Sequence, residues 1–349
     1  MRHYKEHLIL TGTTIRDSLR VLDDLAKDAM SFVVDEQDKL KGSLTEGDVR
    51  RGLINGAELE QPVDDIIQQS PKFIRKGEQD IKKVIEYREK SFTIIPVLDN
   101  DDRVVNVINF GELKSYLPID VVVMAGGKGT RLRPLTENTP KPLLKVGEKP
   151  ILEHNIHRLS LFGVDDFWVT VNYLGDQIEE YFGNGNGKNH NIQYVWEQEP
   201  LGTIGAVSKI DNFVQNYVLV TNSDILTNID YEDFFLRFME EDADFAVVTI
   251  PYKVDVPYAV LETTNGHVIS FKEKPTYTYY SNGGIYLMKK EICKRIPKDT
   301  FYDTTDLMED LIADGKKVLS YPLSGYWLDI GKPEDFEKAQ IDIEKIKFS

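Results

Sequence analysis

Val121-Val122-Val123-Met124-Ala125-Gly126-Gly127-Lys128-Gly129-Thr130-Arg131 is the stretch that decides the fold. An apolar run of strand type enters a loop with three glycines in four positions, and Thr130 and Arg131 close it. The run reads as a buried parallel strand. The glycines place no side chain between backbone N–H groups and an incoming anion, so the loop can wrap a phosphate chain. Arg131, and Lys141 in the following Pro140-Lys141-Pro142-Leu143, bring fixed positive charge to that anion. The Lys-Thr order and the upstream glycine spacing are wrong for a P-loop, and a dinucleotide-binding G-x-G-x-x-G is missing. An ordinary glycine turn after a strand is the plain structural alternative.

Outward from the loop, strand and helix patterns alternate. Leu152, Ile156 and Leu159 share a helical face, and residues 167–171 read as a strand. Residues 176–182 read as a short helix stopped by Gly183-Asn184-Gly185-Asn186-Gly187. Residues 192–196 are a strand, and the buried strand 218–221 delivers Asp224 at its carboxyl end. A helix from about Pro333 ends the chain. The alternation predicts an α/β fold with a doubly wound, mostly parallel sheet, whose ligands sit at the carboxyl ends of the strands.

The chain of 349 residues suggests about two domains, each with its own core. Its 41% hydrophobic and 29% charged residues are those of a globular protein. No apolar run approaches the ~20 residues needed to span a bilayer, and the start of the chain has no signal-peptide pattern. A single cysteine, Cys293, excludes an intrachain disulfide, reads as buried and inert, and fits a reducing cytoplasm. The net charge of −16 argues against nucleic acid and anionic membranes as partners. Polyphosphates remain open where Lys, Arg or a metal ion reverses the local field. His154, His157, His190 and His267 have no ligand constellation around them and read as surface or packing residues.

Residues 1–118 read as two related halves, and 119–349 as the domain built on the glycine loop. The first half has a helical pattern through Leu19, Leu22 and Leu25, a strand ending at Asp35, then Leu40-Lys41-Gly42-Ser43-Leu44-Thr45-Glu46-Gly47-Asp48-Val49. The second has a helical pattern through Ile81, Val84 and Ile85, a strand ending at Asp99, then Val104-Val105-Asn106-Val107-Ile108-Asn109-Phe110-Gly111-Glu112-Leu113. Each half predicts a helix, a strand, a turn, a second strand and a second helix start, which marks a duplicated α+β unit. Pro118 predicts the stop of the last helix, and the short join that follows predicts close coupling of the two parts.

This pair resembles a tandem of CBS domains. Gly42, Thr45 and Asp48 match that family's nucleotide motif, which implies a purine nucleotide with phosphate on Thr45 and ribose on Asp48. A Thr at a helix N-terminus suits an anion, but Thr45 capping a helix with Asp48 on its first turn is equally ordinary chemistry. Asn109 and Glu112 replace the Thr and Asp in the second copy, so one site is expected rather than two. A regulatory site and a purely dimerising role, as a homodimer or higher oligomer, both stay open.

From about Val121 onward the chain resembles the sugar-1-phosphate nucleotidyltransferases. The glycine loop with Lys141-Pro142-Leu143 is followed in order by Glu199-Pro200-Leu201-Gly202-Thr203, Asn222-Ser223-Asp224, Glu273-Lys274-Pro275 and Gly325-Tyr326-Trp327-Leu328-Asp329-Ile330-Gly331. The resemblance implies attack by a sugar 1-phosphate oxygen on the α-phosphorus of a nucleoside triphosphate, with release of pyrophosphate. A phosphate's second pKa is near ~6, so the nucleophile is already ionised and no general base is needed. The difficulty is bringing two polyanions together, which positioning and cations solve.

The same resemblance implies the roles. Asp224 and Asp329 hold Mg²⁺, Arg131 holds the departing pyrophosphate, and Lys141 neutralises the α-phosphate. Lys274 pins the sugar phosphate, while Glu273, Tyr258 and Asn282 face the sugar. Ala125, Gly126, Gly127, Gly129, Thr130, Glu197 and Gly202 meet the nucleotide. Tyr258-Ala259-Val260 stands where the family often has Tyr-Gly-Val, and Asn282-Gly283-Gly284 where it often has Asn-Ala-Gly, which bears on sugar identity. Taken singly, the aspartates read as caps or turn residues and Lys274 as a solvated lysine. Glu197 falls at the base-contacting position. Its acceptor-only carboxylate matches guanine's adjacent N1–H and N2 donors, whereas a solvent-facing Glu197 is the plain alternative. The expectation is GTP as donor, with mannose-, glucosamine- or heptose-type phosphates as acceptors. The rivals are a uridylyl- or thymidylyltransferase and an inactive nucleotide-sensing regulator.

Overall fold

The computed structural model describes residues 3–78, 80–185 and 190–346. Asn186 and Gly187, part of the expected helix stop, lie outside the described residues.

The N-terminal region builds the same small sheet twice. β1 (Leu8–Leu10), α1 (Ile15–Leu25), β2 (Met30–Val34), β3 (Leu40–Thr45) and α2 (Glu46–Ile54) form the first unit. β4 (Ile74–Arg75), α3 (Ile81–Glu89), β5 (Ile94–Leu98) and β6 (Val104–Asn109) form the second. In both, the first strand runs parallel to the second and the second antiparallel to the third. The opening strands, three and two residues long, are too short to show a period in sequence. Thr14 starts α1 by accepting the Asp17 N–H at 3.1 Å. Phe32 and Val34 of one sheet meet Ile94, Leu98, Val104 and Val107 of the other in a shared core.

One expectation fails here. The helix start after β6 is a turn, in which the Asn109 side chain accepts the Gly111 N–H at 2.9 Å and its carbonyl the Leu113 N–H at 2.8 Å. Gly111 and the nearby Pro118 leave too short a run to offset helix nucleation. Pro118 therefore ends no helix; it precedes the first strand of the next sheet directly.

That sheet starts with β7 (Ile119–Met124). The chain continues through the hairpin β8 (Lys145–Val146) and β9 (Lys149–Pro150), α4 (Ile151–Ser160), β10 (Asp166–Val171), α5 (Gly175–Phe182) and β11 (Asn191–Trp196). β12 (Tyr217–Asn222), β13 (Ile225–Thr227), α6 (Tyr231–Glu240), β14 (Phe245–Asp255), β15 (Val260–Thr264), β16 (His267–Lys272) and β17 (Thr276–Lys289) follow. α7 (Lys290–Cys293), α8 (Thr304–Ala313), β18 (Val318–Pro322), β19 (Trp327–Asp329) and α9 (Pro333–Asp342) complete it.

The central sheet has the order β11-β10-β7-β12-β17-β14-β18. Its pairs are parallel except those of β17, which runs antiparallel to both neighbours. Val121 and Val123 face a core with α4 and α6, while Val122 faces one with α7 and α8. Burial on both faces explains why β7 reads as an unbroken apolar run.

The core on the α4 side extends into the second small unit through Ile81, Val84, Ile95, Ile108, Tyr116 and Leu117. The Lys114 N–H bonds the Leu161 carbonyl at 2.7 Å, and the Leu117 N–H the Phe162 carbonyl at 3.0 Å. Gly163, at φ +79°, lets the join pass, since a Cβ there would lie 2.6 Å from the Tyr116 Cα. Arg88 grips Glu232 with two bonds of 3.0 and 2.7 Å. The close coupling expected from the short join is thus a common core with backbone pairing.

Asp120 lies fully buried at the foot of β7, with Oδ2 accepting the Gln215 N–H at 2.8 Å and Oδ1 without a partner. Burial pushes its carboxyl from 3.8 up to about 7. The folded chain then keeps a proton that the unfolded chain releases near pH 4. Stability from this group is full below that pH and is lost as pH rises through about 7. Between pH 5 and 8 the wild type should lose up to about 3 kcal/mol more than Asp120→Asn, measured by urea denaturation. Parallel pH profiles for the two proteins would refute the assignment.

Candidate active site

The two sequence-distant aspartates meet through strand register. Asp224 occupies the turn between β12 and β13, and Asp329 ends β19. β13 and β19 pair antiparallel with Ile225 opposite Asp329, and the Ile330 N–H bonds the Asp224 carbonyl at 3.1 Å. Lys141, in the 3₁₀ turn Lys141–Leu143, ion-pairs with Asp224 and lies 3.6 Å from Asp329 Oδ1. Arg131 reaches the same place: a Cβ on Gly331 would lie 2.9 Å from its Nη2 and 3.1 Å from Asp329 Oδ1. Burial first, and the neighbouring Asp224 second, raise the Asp329 carboxyl above its ordinary range, against the pull of Lys141 and Arg131. Oδ1 of each aspartate is buried without a hydrogen-bond partner.

The glycine loop is fixed at its start by the Ala125 N–H, which bonds the Thr170 carbonyl at 3.0 Å. Gly127 has open space around its Cα, and Thr130 and Arg131 are exposed. Gly129 packs between Thr136 and Lys141, so the loop and the lysine share one support. Across from Gly126 stands Glu197. Its Oε2 accepts the Leu201 N–H at 3.1 Å, and its Oε1 would lie 2.8 Å from a Cβ on Gly126. Glu197 is half-buried, with its carboxylate against the loop. Gly202, at φ +76°, abuts the Tyr302 carbonyl at 2.6 Å from a would-be Cβ, and Thr203 N–H bonds Asp303 at 2.8 Å.

The residues expected at the sugar lie on or at the root of a strand ribbon. β14 and β17 continue past the sheet as a two-stranded ribbon from Thr249/Asn282 to Asp255/Thr276. β15 and β16 pair with each other beyond it. Tyr258, Glu273 and Lys274 are exposed on this arm, Tyr258 at 76%. Glu273 and Lys274 lie in the bend just before β17, whose stretch from Thr276 to Asn282 is about 20 Å of strand. Asn282 sits at the root, where its Oδ1 accepts the Gly284 N–H at 2.9 Å and Gly284 abuts Asn222. The structure brings Arg131, Lys141, Asp224 and Asp329 together beside the glycine loop, with Glu197 against Gly126; Tyr258, Glu273 and Lys274 are exposed on the arm.

A family model described as nucleotidyl transferase matches residues 120–346, well over half of the chain. The chain belongs to the nucleotidyl transferase family. Among its relatives is the D-glycero-alpha-D-manno-heptose 1-phosphate guanylyltransferase of Aneurinibacillus thermoaerophilus, 32% identical over 65% of this chain and 99% of that one. The mannose-1-phosphate guanylyltransferase of Mycobacterium tuberculosis is also 32% identical, over 64% of each chain. The solved structure of HddC from Yersinia pseudotuberculosis complexed with GMP-PN superposes with a TM-score of 0.50 at 29% identity, covering 64% of this chain and 99% of that one.

In this nucleotidyl transferase the N-terminal motif residues are committed to each other. Asp48 Oδ2 accepts both the Thr45 N–H (2.9 Å) and hydroxyl (2.6 Å), and Arg51 holds Oδ1 at 2.6 Å. Gly42 abuts the Gln68 carbonyl, leaving 2.8 Å for a Cβ. The capping role is thus fully realised here. Two supporting residues carry no family motif. Asn155, buried on α4, donates to the Ser223 carbonyl at 3.0 Å beside Asp224, and Asn172 donates to the Glu197 carbonyl at 2.7 Å. The one signal for Asn155 is an amide inside the apolar stripe of Leu152, Ile156 and Leu159. Among the described residues no cluster of three His, Cys, Asp or Glu suits a metal ion, and no helix is long and apolar enough to cross a membrane.

Proposed function

We propose that this chain transfers a guanylyl group from GTP to a sugar 1-phosphate, forming a GDP-sugar and pyrophosphate for glycan or glycoconjugate synthesis. The observation that carries this is the aspartate pair with its unpartnered oxygens, set against Lys141 and Arg131 at the glycine loop. Two carboxylate oxygens without a hydrogen bond, that of Asp329 ion-paired at 3.6 Å with Lys141, suit Mg²⁺, which takes one or two carboxylates and completes its shell with phosphate and water. Bound there, the ion supplies electrostatic stabilisation of phosphate charge. The Gly127 region presents open backbone to the triphosphate, Arg131 takes the departing pyrophosphate bidentately, and Lys141 offsets charge at the α-phosphate. On this proposal Glu273 and Lys274 serve the sugar phosphate, with Tyr258 and Asn282 beside them.

The test is pyrophosphate release from a panel crossing GTP, UTP, dTTP, ATP and CTP with mannose, glucosamine and heptose 1-phosphates. GTP should give the highest kcat/KM, and excess chelator should abolish release. No release from any pair overturns the transferase reading for this chain. Glu197→Gln should lower the GTP-over-UTP ratio by roughly ten- to hundredfold, because a bidentate base contact is worth about 1–3 kcal/mol. An unchanged ratio removes Glu197 from base recognition.

Residues 1–118 form, on this proposal, a tandem CBS pair that supports self-association; the repeated strand pattern supports it. A purine nucleotide at Thr45 and Asp48 requires their mutual bonds to open. Calorimetry of the full chain with AMP and GMP, against Asp48→Ala, should show binding that the variant loses. No binding by the wild type leaves the capping role alone.

A further inference from the structure

Gly126 and Glu197 form a steric pair that the triphosphate chemistry does not require. Gly126 has no left-handed φ, so its backbone is one that alanine adopts without strain. Of the three atoms nearest a Cβ there, only one is too close. A Cβ would meet Glu197 Oε1 at 2.8 Å, and its next neighbours, the Asn172 Cβ at 3.4 Å and Glu197 Cδ at 3.5 Å, are ordinary contacts. The lack of a side chain at 126 therefore answers to one group, the Glu197 carboxylate.

That carboxylate is held from the other side as well. Its Oε2 accepts the Leu201 N–H, and its main chain is pinned by the Val171 carbonyl at 2.9 Å and by Asn172 at 2.7 Å. A methyl at 126 cannot move the Glu197 backbone, so it moves the carboxylate. The Leu201 bond is made to Oε2 and takes one of about four lone-pair sites, while Oε1 is the oxygen beside Gly126 of the loop.

We infer that Gly126 is a positioning residue for base selectivity: it admits the Glu197 carboxylate to the edge of the loop, and so sets which base is accepted. The inference rests on the proposed guanine reading for the identity of the base, not for the coupling itself. Ligand class follows from the chemistry: an acceptor-only group held there selects a base edge with adjacent donors, as guanine has, over one with an acceptor in that place.

The experiment is a double-mutant cycle of wild type, Gly126→Ala, Glu197→Gln and the double variant. Each is measured for kcat/KM, and by calorimetry for Kd, with GTP and UTP; calorimetry without acceptor keeps the readout if turnover is lost. Gly126→Ala should lower the GTP-over-UTP ratio about ten- to hundredfold, like Glu197→Gln. The double variant should fall no further, because the two changes remove one interaction. Gly126→Ala combined with Glu197→Asp should regain part of the ratio, the shorter carboxylate clearing the methyl. Equal losses for both triphosphates in Gly126→Ala, or effects that multiply in the double variant, overturn the inference. A wild type that prefers UTP overturns the guanine reading alone, and the cycle then reads the coupling on the reversed ratio.

Discussion

Asp224→Asn and Asp329→Asn are each expected to lower kcat by at least about 10²–10³-fold while leaving the fold intact. The proposed chemistry has no base to lose. What the carboxylates supply is charge that holds a cation against the migrating phosphate, and an amide keeps the shape but not the charge. Structure gives a second readout. The Asp329 carboxyl is raised by burial and by Asp224, so its charged form is disfavoured where it sits. Asp329→Asn should therefore not lower the thermal stability of the metal-free protein near pH 8, although turnover collapses. Full activity in either variant would sink the proposed metal role, and a stability loss matching the activity loss would make it a folding effect.

Lys141→Met should cost both activity and stability, and the two should separate by conditions. Lys141 is buried between two carboxylates, and removing one partner of such a cluster leaves uncompensated charge at a cost of about 3–5 kcal/mol. The loss should be largest near pH 8 and shrink as pH falls and the Asp329 carboxyl, already raised, takes up a proton. Added Mg²⁺ should recover stability if it binds the folded site as proposed and not the unfolded chain. Turnover should stay down by about 10²–10³-fold at saturating Mg²⁺, because on the proposed chemistry the charge beside the α-phosphate is still missing. Lys141→Arg, which keeps the charge, separates charge from shape. A Lys141→Met protein as stable and active as wild type would remove the lysine from the site.

Much of this was legible because the chemistry sits where periodicity is strongest. The run at 121–124 had to be buried on both faces, and the structure puts it in the interior of the sheet, between β10 and β12, with the loop at its carboxyl end. The meeting of Asp224 with Asp329 was readable only through family motifs, since it depends on the pairing of two three-residue strands. The arm was not legible. Ile269 and Phe271 alternate with Ser270 and Lys272 like a strand with a buried face, yet both, and Leu261 and Val268 beside them, are more than half exposed. Local pattern fixes the strands there, but not what they pack on. Asn155 and Asn172 escaped because a lone amide has no period and reports only through the carbonyls it reaches.

The backbone pairing of residues 114 and 117 with 161 and 162 has a thermodynamic corollary. A chain cut before β7 would strip Tyr116 and Leu117 from the surface they cover on Phe162 and Gly163, and leave Arg88's partner Glu232 unmatched. Melting of the intact chain should then proceed as one cooperative event, with a single calorimetric peak. The amino-terminal units are in that sense ballast for the transferase sheet: what loosens them loosens β10 and the loop that stands beside it.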